Sequence, residues 1–222
     1  MTTVLTEAQN NAINQRLEEG LKALGITASE TQQQRLSALV SLLHKWNRAY
    51  NLTAVRDPLD MVSRHLLDSA AVLPHVRGPR VLDVGSGPGL PGLVLAILAP
   101  ELDVTLLDSN GKKVRFQRQA VMELGLGNVT PVQARVEQFS APAGGFDQVV
   151  SRAFASLADF IGLTRELIAE DGQWLAMKGP AVEGELAQLD ADVHQVARLT
   201  LPVPFESGVR ELVVLEPDAS AR

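Results

Sequence analysis

The chain has 222 residues, 45% hydrophobic and 21% charged, an ordinary soluble composition with length for one large domain or a domain with an extension. It contains no cysteine, which excludes disulfides, thiolate metal sites and a cysteine nucleophile. The formal net charge of −6 weighs mildly against a nucleic-acid partner, although the distribution of charge matters more than its sum.

Met1–Gly20 is polar and lacks an apolar signal core, and no apolar run approaches the about 20 residues of a membrane span. A cytoplasmic location without membrane attachment is the expectation. Ala12, Ile13, Leu17, Leu21 and Leu24 predict a first helix over 7–24, with Gly25 placed to cap its end. Ser29 with Gln32 reads as a capping box opening a second helix, whose stripe is Leu36, Leu39, Val40, Leu43 and Trp46. Pro58 opens a third helix, with Met61, Val62, Leu66, Ala70 and Leu73 on one face. No strand signal precedes Arg80. Gly78-Pro79 therefore marks a boundary between an N-terminal helical extension, 1–78, packed on the sheet, and an α/β domain, 79–222.

From Arg80 onward, strand-like runs at 80–84, 103–107, 128–133, 146–150, 172–177, 194–201 and 209–215 alternate mostly with helical stretches. This predicts a seven-stranded, mainly parallel sheet with helices on both faces, a Rossmann-like arrangement. The last two runs are joined through Pro202, Pro204 and Gly208, too short a link for a crossover helix, so one strand is expected to be antiparallel.

The most informative stretch follows the first strand. Asp83-Val84-Gly85-Ser86-Gly87-Pro88-Gly89-Leu90 combines a strand-end acid with three glycines at alternate positions. In the dinucleotide fingerprint the third glycine falls where this chain has Leu90. The spacing fits better with the loop that curves under S-adenosylmethionine. Asp108, ending the next strand about 20 residues on, can accept both ribose hydroxyls. The third strand ends near Gln133, so backbone around Ala134-Arg135-Val136-Glu137 would meet the adenine ring, while Glu137 is equally explicable as a helix N-terminal acid. The histidines show no metal-ligand spacing, and no metal is expected.

Five blocks carry a specific resemblance: Trp46-Asn47-x-x-Tyr50-Asn51-Leu52-Thr53, Arg64-His65-Leu66-Leu67-Asp68-Ser69, the glycine loop through Leu90-Pro91-Gly92, Leu107-Asp108-Ser109, and Ser151-Arg152-Ala153-Phe154-Ala155. Together they resemble the RsmG (GidB) family of bacterial 16S rRNA guanine-N7 methyltransferases, strongly from about Trp46 to Lys178. The resemblance implies that 79–222 is a class I S-adenosylmethionine-dependent methyltransferase domain. It implies methyl transfer to N7 of one guanine in the decoding-region loop, in 16S rRNA or the 30S particle. By matching positions Gly85, Leu90, Val136, Glu137 and Arg152 would contact the cofactor. Asp83, Gly87, Gly89, Asp108 and Ser109 complete the expected cofactor set.

N7 of guanine offers an in-plane lone pair and no proton, so attack on the methyl needs alignment rather than a general base. Arg152, Arg64 and His65 are expected to position the substrate. Arg152 could hold the methionine carboxylate, guanine O6 or a phosphate. Phe154 is a candidate for stacking on the base and equally for the core. Lys112, Lys113, Arg115, Arg118 and Lys178 are candidates for RNA phosphates, with a merely solvated helix face as the alternative for the four on the helix. A monomer is expected. A small-molecule methyltransferase, a nicotinamide-dependent oxidoreductase and a non-catalytic RNA-binding factor are the competing readings.

Overall fold

The computed structural model describes residues 5–152, 154, 156–180, 182–189 and 191–218. Ala153 and Ala155 of the fifth motif block lie outside them. The chain is helical from α1 (Glu7–Ala23) through α2 (Glu30–Tyr50) to a composite third helix. Thr6 and Ser29 open the first two with complete capping boxes, closed by Gln9 and Gln32. Gly25 follows the end of α1 at φ 70°, the left-handed cap its position suggests. The third helix is not the uniform one expected. It runs as α3 (Pro58–Met61), a π-helical stretch (Val62–Leu67) and a last turn α4 (Asp68–Ala70), with Leu73 beyond it in a short 3-10 turn. Met61, Val62, Leu66 and Ala70 are buried as the stripe requires, a spacing that does not separate regular from widened turns.

Seven strands form one sheet in the order β3-β2-β1-β4-β5-β7-β6: β1 (Arg80–Val84), β2 (Asp103–Asp108), β3 (Val129–Gln133), β4 (Phe146–Ser151), β5 (Ile168–Lys178), β6 (Val193–Leu201) and β7 (Arg210–Pro217). The first five are parallel, and β7 runs antiparallel between β5 and β6. β5 begins four residues before the expected 172, because Ile168 already pairs with Phe146 across a register shift. One face carries α5 (Gly92–Leu98) and α6 (Gly111–Leu124), the other α7 (Leu157–Thr164) and α8 (Glu183–Leu186). No helix of the described residues is long and apolar enough to cross a membrane.

The N-terminal helices share a core with the sheet. Leu36, Leu39 and Leu43 of α2 are buried in the same cluster as Leu93 and Ile97 of α5 and Phe116 of α6. The amide that closes the α2 capping box also ties the layers: Gln32 Oε1 accepts from the Ser29 N–H at 2.8 Å, while its Nε2 donates to the carbonyls of Ile97 and Leu98 at 3.1 and 2.8 Å. Those carbonyls belong to the last turn of α5, which has no helical donors left for them.

The β1–α5 junction is built on a fully buried acid. Asp83 Oδ2 accepts the Gly92 N–H at 2.7 Å, and Oδ1 has no partner among the described residues. A Cβ at Gly92 would stand 2.3 Å from Leu106 and 2.9 Å from Asp83 Oδ2, so only glycine fits. Burial pushes the Asp83 carboxyl up to about 7; the Gly92 amide and Arg152 oppose the shift, and the charge of Asp108 adds to it. An unfolded aspartate titrates at about 3.9. Between these values the folded chain holds a proton that the unfolded chain releases, so stability falls as pH rises through the window. Urea denaturation from pH 4.5 to 7.5 is expected to show wild type losing stability relative to Asp83→Asn; a pH-independent difference would refute the assignment.

Candidate active site

β1 neighbours β2 on one side and β4 on the other, and the connections leave in opposite directions. Such a reversal opens a crevice beyond the carboxyl ends of the strands. A cleft of about 570 Å3 lies there, lined by Val84, Gly85, Leu107, Asp108, Ser109, Asn110, Lys113, Ala134, Arg135, Val136, Glu137 and Phe154. Its size falls in the roughly 300–1,000 Å3 range of small-molecule sites.

The Asp108 carboxylate is held at both oxygens. Oδ2 accepts the Gly87 N–H and Oδ1 the Asn110 N–H, each at 2.8 Å. Each oxygen keeps a second lone pair for a ligand hydroxyl. Gly85 and Gly87 have φ of 64° and 59°, a region in which side chains are strained. A Cβ at Gly85 would come to 4.0 Å from the Phe154 ring, so the missing side chain keeps the gap between loop and ring open. An oriented carboxylate, a bare backbone edge and an aromatic wall fit the ribose and the flat ring of an adenosine-type ligand.

The expected cofactor residues separate into two groups. Gly85, Asp108, Ser109, Val136 and Glu137 line the cleft. Asp83, Gly87, Gly89 and Leu90 stand behind its wall: Asp83 and Leu90 are buried, and a Cβ at Gly89 would stand 2.6 Å from Leu93. Gly87 acts through its N–H on Asp108. Arg152 is in neither group. It lines a second cavity of about 300 Å3 together with Val55, Arg64, His65, Asp68, Met177, Lys178, Gly179 and Arg210.

Asp68 organises this second cavity. Its Oδ2 accepts from Arg152 Nη1 at 3.4 Å and its Oδ1 from Arg210 Nε at 3.1 Å, with the Asp68 side chain 5% exposed. Burial pushes its carboxyl upward, and the guanidiniums of Arg152 and Arg210 pull it back part of the way. Arg152 Nη1 also donates to the Arg64 carbonyl at 3.3 Å. That carbonyl lies in the π-helical stretch, a widened turn that recurs at functional sites. Lys178 Nζ donates to the Phe154 carbonyl at 3.2 Å and to Glu185 at 2.8 Å, so the end of β5 holds the segment after β4.

His65 is fixed in one tautomer. Its Nδ1 lies 3.0 Å from the Arg64 carbonyl, which can only accept, so Nδ1 carries the proton. Nε2 then accepts from the Thr53 hydroxyl at 2.7 Å, and the same hydroxyl accepts the Val55 N–H at 3.2 Å. Arg152 Nη1 at 3.4 Å from Nδ1 is thus a contact between two donors rather than a hydrogen bond. Burial, with the charge of Arg152, pushes the His65 imidazole down to about 4, leaving it neutral at physiological pH. Thr53 is placed in turn by Asn47, whose Oδ1 accepts the Thr53 N–H at 2.8 Å and whose Nδ2 donates to the Val55 carbonyl at 2.9 Å.

The remaining basic candidates divide. Lys112, Arg115 and Arg118 are exposed on α6 away from both cavities, whereas Lys113 lines the first cleft. Phe154 also lines that cleft and packs on Phe160 at 5.5 Å between ring centroids. Sequence reasoning passed over Arg210, which stands among acidic residues and reaches the cavity only because β7 is antiparallel and sets Glu211 opposite Lys178. Asn47 and Thr53 were visible as motif letters without a role.

Among solved structures, a SAM-dependent methyltransferase from Aquifex aeolicus aligns with a TM-score of 0.55 at 18% identity, covering 70% of this chain and 92% of its own. A Pyrococcus abyssi tRNA (uracil-54, C5)-methyltransferase in complex with S-adenosyl-L-homocysteine aligns at 0.52 and 22% identity, covering 66% and 36%. At these identities the likeness concerns the fold, that of S-adenosylmethionine-dependent methyltransferases. Sequence relatives go further. Ribosomal RNA small subunit methyltransferase G of Chromohalobacter salexigens is 64% identical over 204 residues, 92% of this chain and 97% of the relative. The same-named protein of Pseudomonas syringae pv. tomato is 50% identical over 205 residues, 92% and 97%. A family model described as rRNA small subunit methyltransferase G (GidB) matches residues 32–213, and the chain belongs to that family.

Proposed function

We propose that the chain transfers a methyl group from S-adenosylmethionine to N7 of a guanine in the decoding-region loop of 16S rRNA. One observation carries the reading. Two cavities are lined from the segment after β4, one by Phe154 and the other by Arg152: the first presents a fixed carboxylate at a bare glycine loop, and the second is walled by Arg64, Arg152, Lys178 and Arg210 around Asp68. The first suits an adenosine-type methyl donor and the second a polyanion bearing a purine. S-adenosylmethionine, bound in the first, supplies a methyl on a positively charged sulfur.

Chemistry narrows the acceptor. The N7 lone pair forms the new N–C bond while the C–S electron pair returns to sulfur, and no proton leaves N7. The site needs alignment and a charge-tolerant surround rather than a base. His65, neutral and with both ring nitrogens engaged, suits positioning better than proton transfer. Asp68 places negative charge where the methylated ring becomes cationic. The chain has no cysteine for the adduct route to pyrimidine C5. Ser151-Arg152 replaces the Asn/Asp-Pro-Pro-aromatic segment common in enzymes acting on exocyclic amines.

In this reading Asp108 accepts the ribose hydroxyls, Gly85 and Ser109 admit the cofactor backbone-close, and Val136 and Glu137 border the adenine. Arg64, Arg152, Lys178 and Arg210 meet the RNA at the target. Lys112, Arg115 and Arg118 extend the contact along phosphates outside, and cytoplasmic action as a monomer on rRNA or the 30S particle completes the proposal. The direct test is labelled-methyl transfer onto rRNA and 30S particles from a strain lacking the enzyme, with the modified base mapped; a label at any other atom or in no RNA rejects it.

Asp108→Ala is expected to weaken S-adenosylmethionine binding by about 1.5–3 kcal/mol, the scale of hydrogen bonds to a charged group. Unchanged affinity by calorimetry would remove Asp108 from that role. The double variant Lys112→Glu, Arg115→Glu is expected to raise the KM for RNA and flatten its salt dependence while cofactor affinity holds. RNA kinetics equal to wild type would show that this helix face is only solvated.

A further inference from the structure

The cofactor loop is held from behind by a side chain that touches neither cavity. Gln117, on α6, is fully buried. Its Nε2 donates to the Gly87 carbonyl at 2.7 Å and to the Ser86 hydroxyl at 2.9 Å. The orientation of the amide is fixed, because turning it over would set its oxygen against the Gly87 carbonyl, an acceptor facing an acceptor. Ser86 Oγ passes the contact on, donating to the Leu107 carbonyl at 3.3 Å. Gln117 Oε1 has no partner among the described residues. A buried amide that leaves its oxygen unpaired is retained for its donors.

These bonds fall on the residue that sets Asp108. Gly87 sits at φ 59°, outside any regular ladder, so neither side of its peptide unit has a strand or helix partner. Its N–H goes to Asp108 Oδ2 and its carbonyl to Gln117 Nε2. The residue is pinned on both sides, and a rotation about either side would swing the carboxylate it steadies. We propose that Gln117 is a positioning residue for the methyl donor: it clamps Ser86-Gly87, and through the Gly87 N–H it orients Asp108 toward the ribose. The proposal rests on the assignment of the first cleft to S-adenosylmethionine. Because Gln117 and the basic residues Lys112 and Arg115 share one helix, the clamp also joins the cofactor loop to the face offered to RNA.

The test uses the full chain with Gln117→Leu and Gln117→Met, which keep the volume and remove the donors, beside Asp108→Ala as a marker of the cleft. Cofactor affinity is read by calorimetry with S-adenosylmethionine, and kinetics on rRNA are followed with thermal melting. Both Gln117 variants are expected to raise the cofactor KM and Kd about tenfold, the scale of one to two lost hydrogen bonds. Their kcat at saturating cofactor and their KM for RNA are expected to stay at wild-type values. Wild-type cofactor affinity in the Gln117 variants, with Asp108→Ala weakened, overturns the proposal and leaves the cleft assignment standing. Unchanged affinity in all three overturns both. A matched fall in kcat, RNA affinity and melting temperature shows general loosening of the core and also overturns it.

Discussion

Everything functional here follows from the reversal of strand order beside β1. The chain leaves β1 toward β2 and β3 on one side and returns to β4 and β5 on the other. Loops from both directions must part at the carboxyl end, and no neighbour covers the gap. Gly85 ends one side of it, and Arg152 ends the other. α5 and α6 cover one face and α7 the opposite one, so the gap has walls but no floor of its own. The N-terminal helices close part of the second cavity, since Arg64, His65 and Asp68 come from the π-helical stretch and the turn after it.

A crevice made this way exposes backbone groups and buries polar side chains, and the fold satisfies them in linked pairs. Asp83 holds Gly92, Asp108 holds Gly87 and Asn110, Gln117 holds Gly87 from the other side, and Asn47 holds both Thr53 and Val55. Each unpaired group of this kind would cost about 1–3 kcal/mol. The polar residues are therefore scaffolding with little freedom to move. Their rigidity turns a glycine-rich loop, intrinsically permissive, into a surface of one shape. Asp83 Oδ1 and Gln117 Oε1 have no partner among the described residues, and both side chains stand directly behind the loop.

Periodicity was enough to read the layers. Alternate glycines after β1, an acid at the end of β2 and the Pro202–Gly208 link before β7 each report a local backbone requirement, and local requirements are written in adjacent residues. What escaped reading depends on contacts distant in the chain. Arg210 acquires its place from the β5–β7 register, 32 residues from Lys178 by sequence but one ladder position away in space. Gln117 is one polar residue among several on an amphipathic helix, and only the packing of α6 on the loop gives it a partner. The π-helical stretch is hidden for another reason: Met61, Val62, Leu66 and Ala70 are buried whether the turns are regular or widened. Leu90 is the converse case: its motif position suggests a ligand contact, and the structure adds that its side chain is buried in the core.

The electrostatics of the two cavities explain why an acidic chain can present itself to RNA. The net charge of −6 is a property of the whole surface, while the second cavity gathers Arg64, Arg152, Lys178 and Arg210 against the carboxylate of Asp68, with Glu185 paired to Lys178. Low-dielectric walls concentrate that local field, and distant surface acids are screened beyond about 8–10 Å. The same walls keep His65 neutral, because another positive charge beside Arg152 would be poorly solvated. On the proposed reaction this restraint has a purpose. Phosphates call for positive charge, but the ring methylated at N7 is itself cationic and must leave. A pocket with Arg152 and Arg210 tethered to Asp68 and its imidazole uncharged attracts the one without holding a further charge against the other.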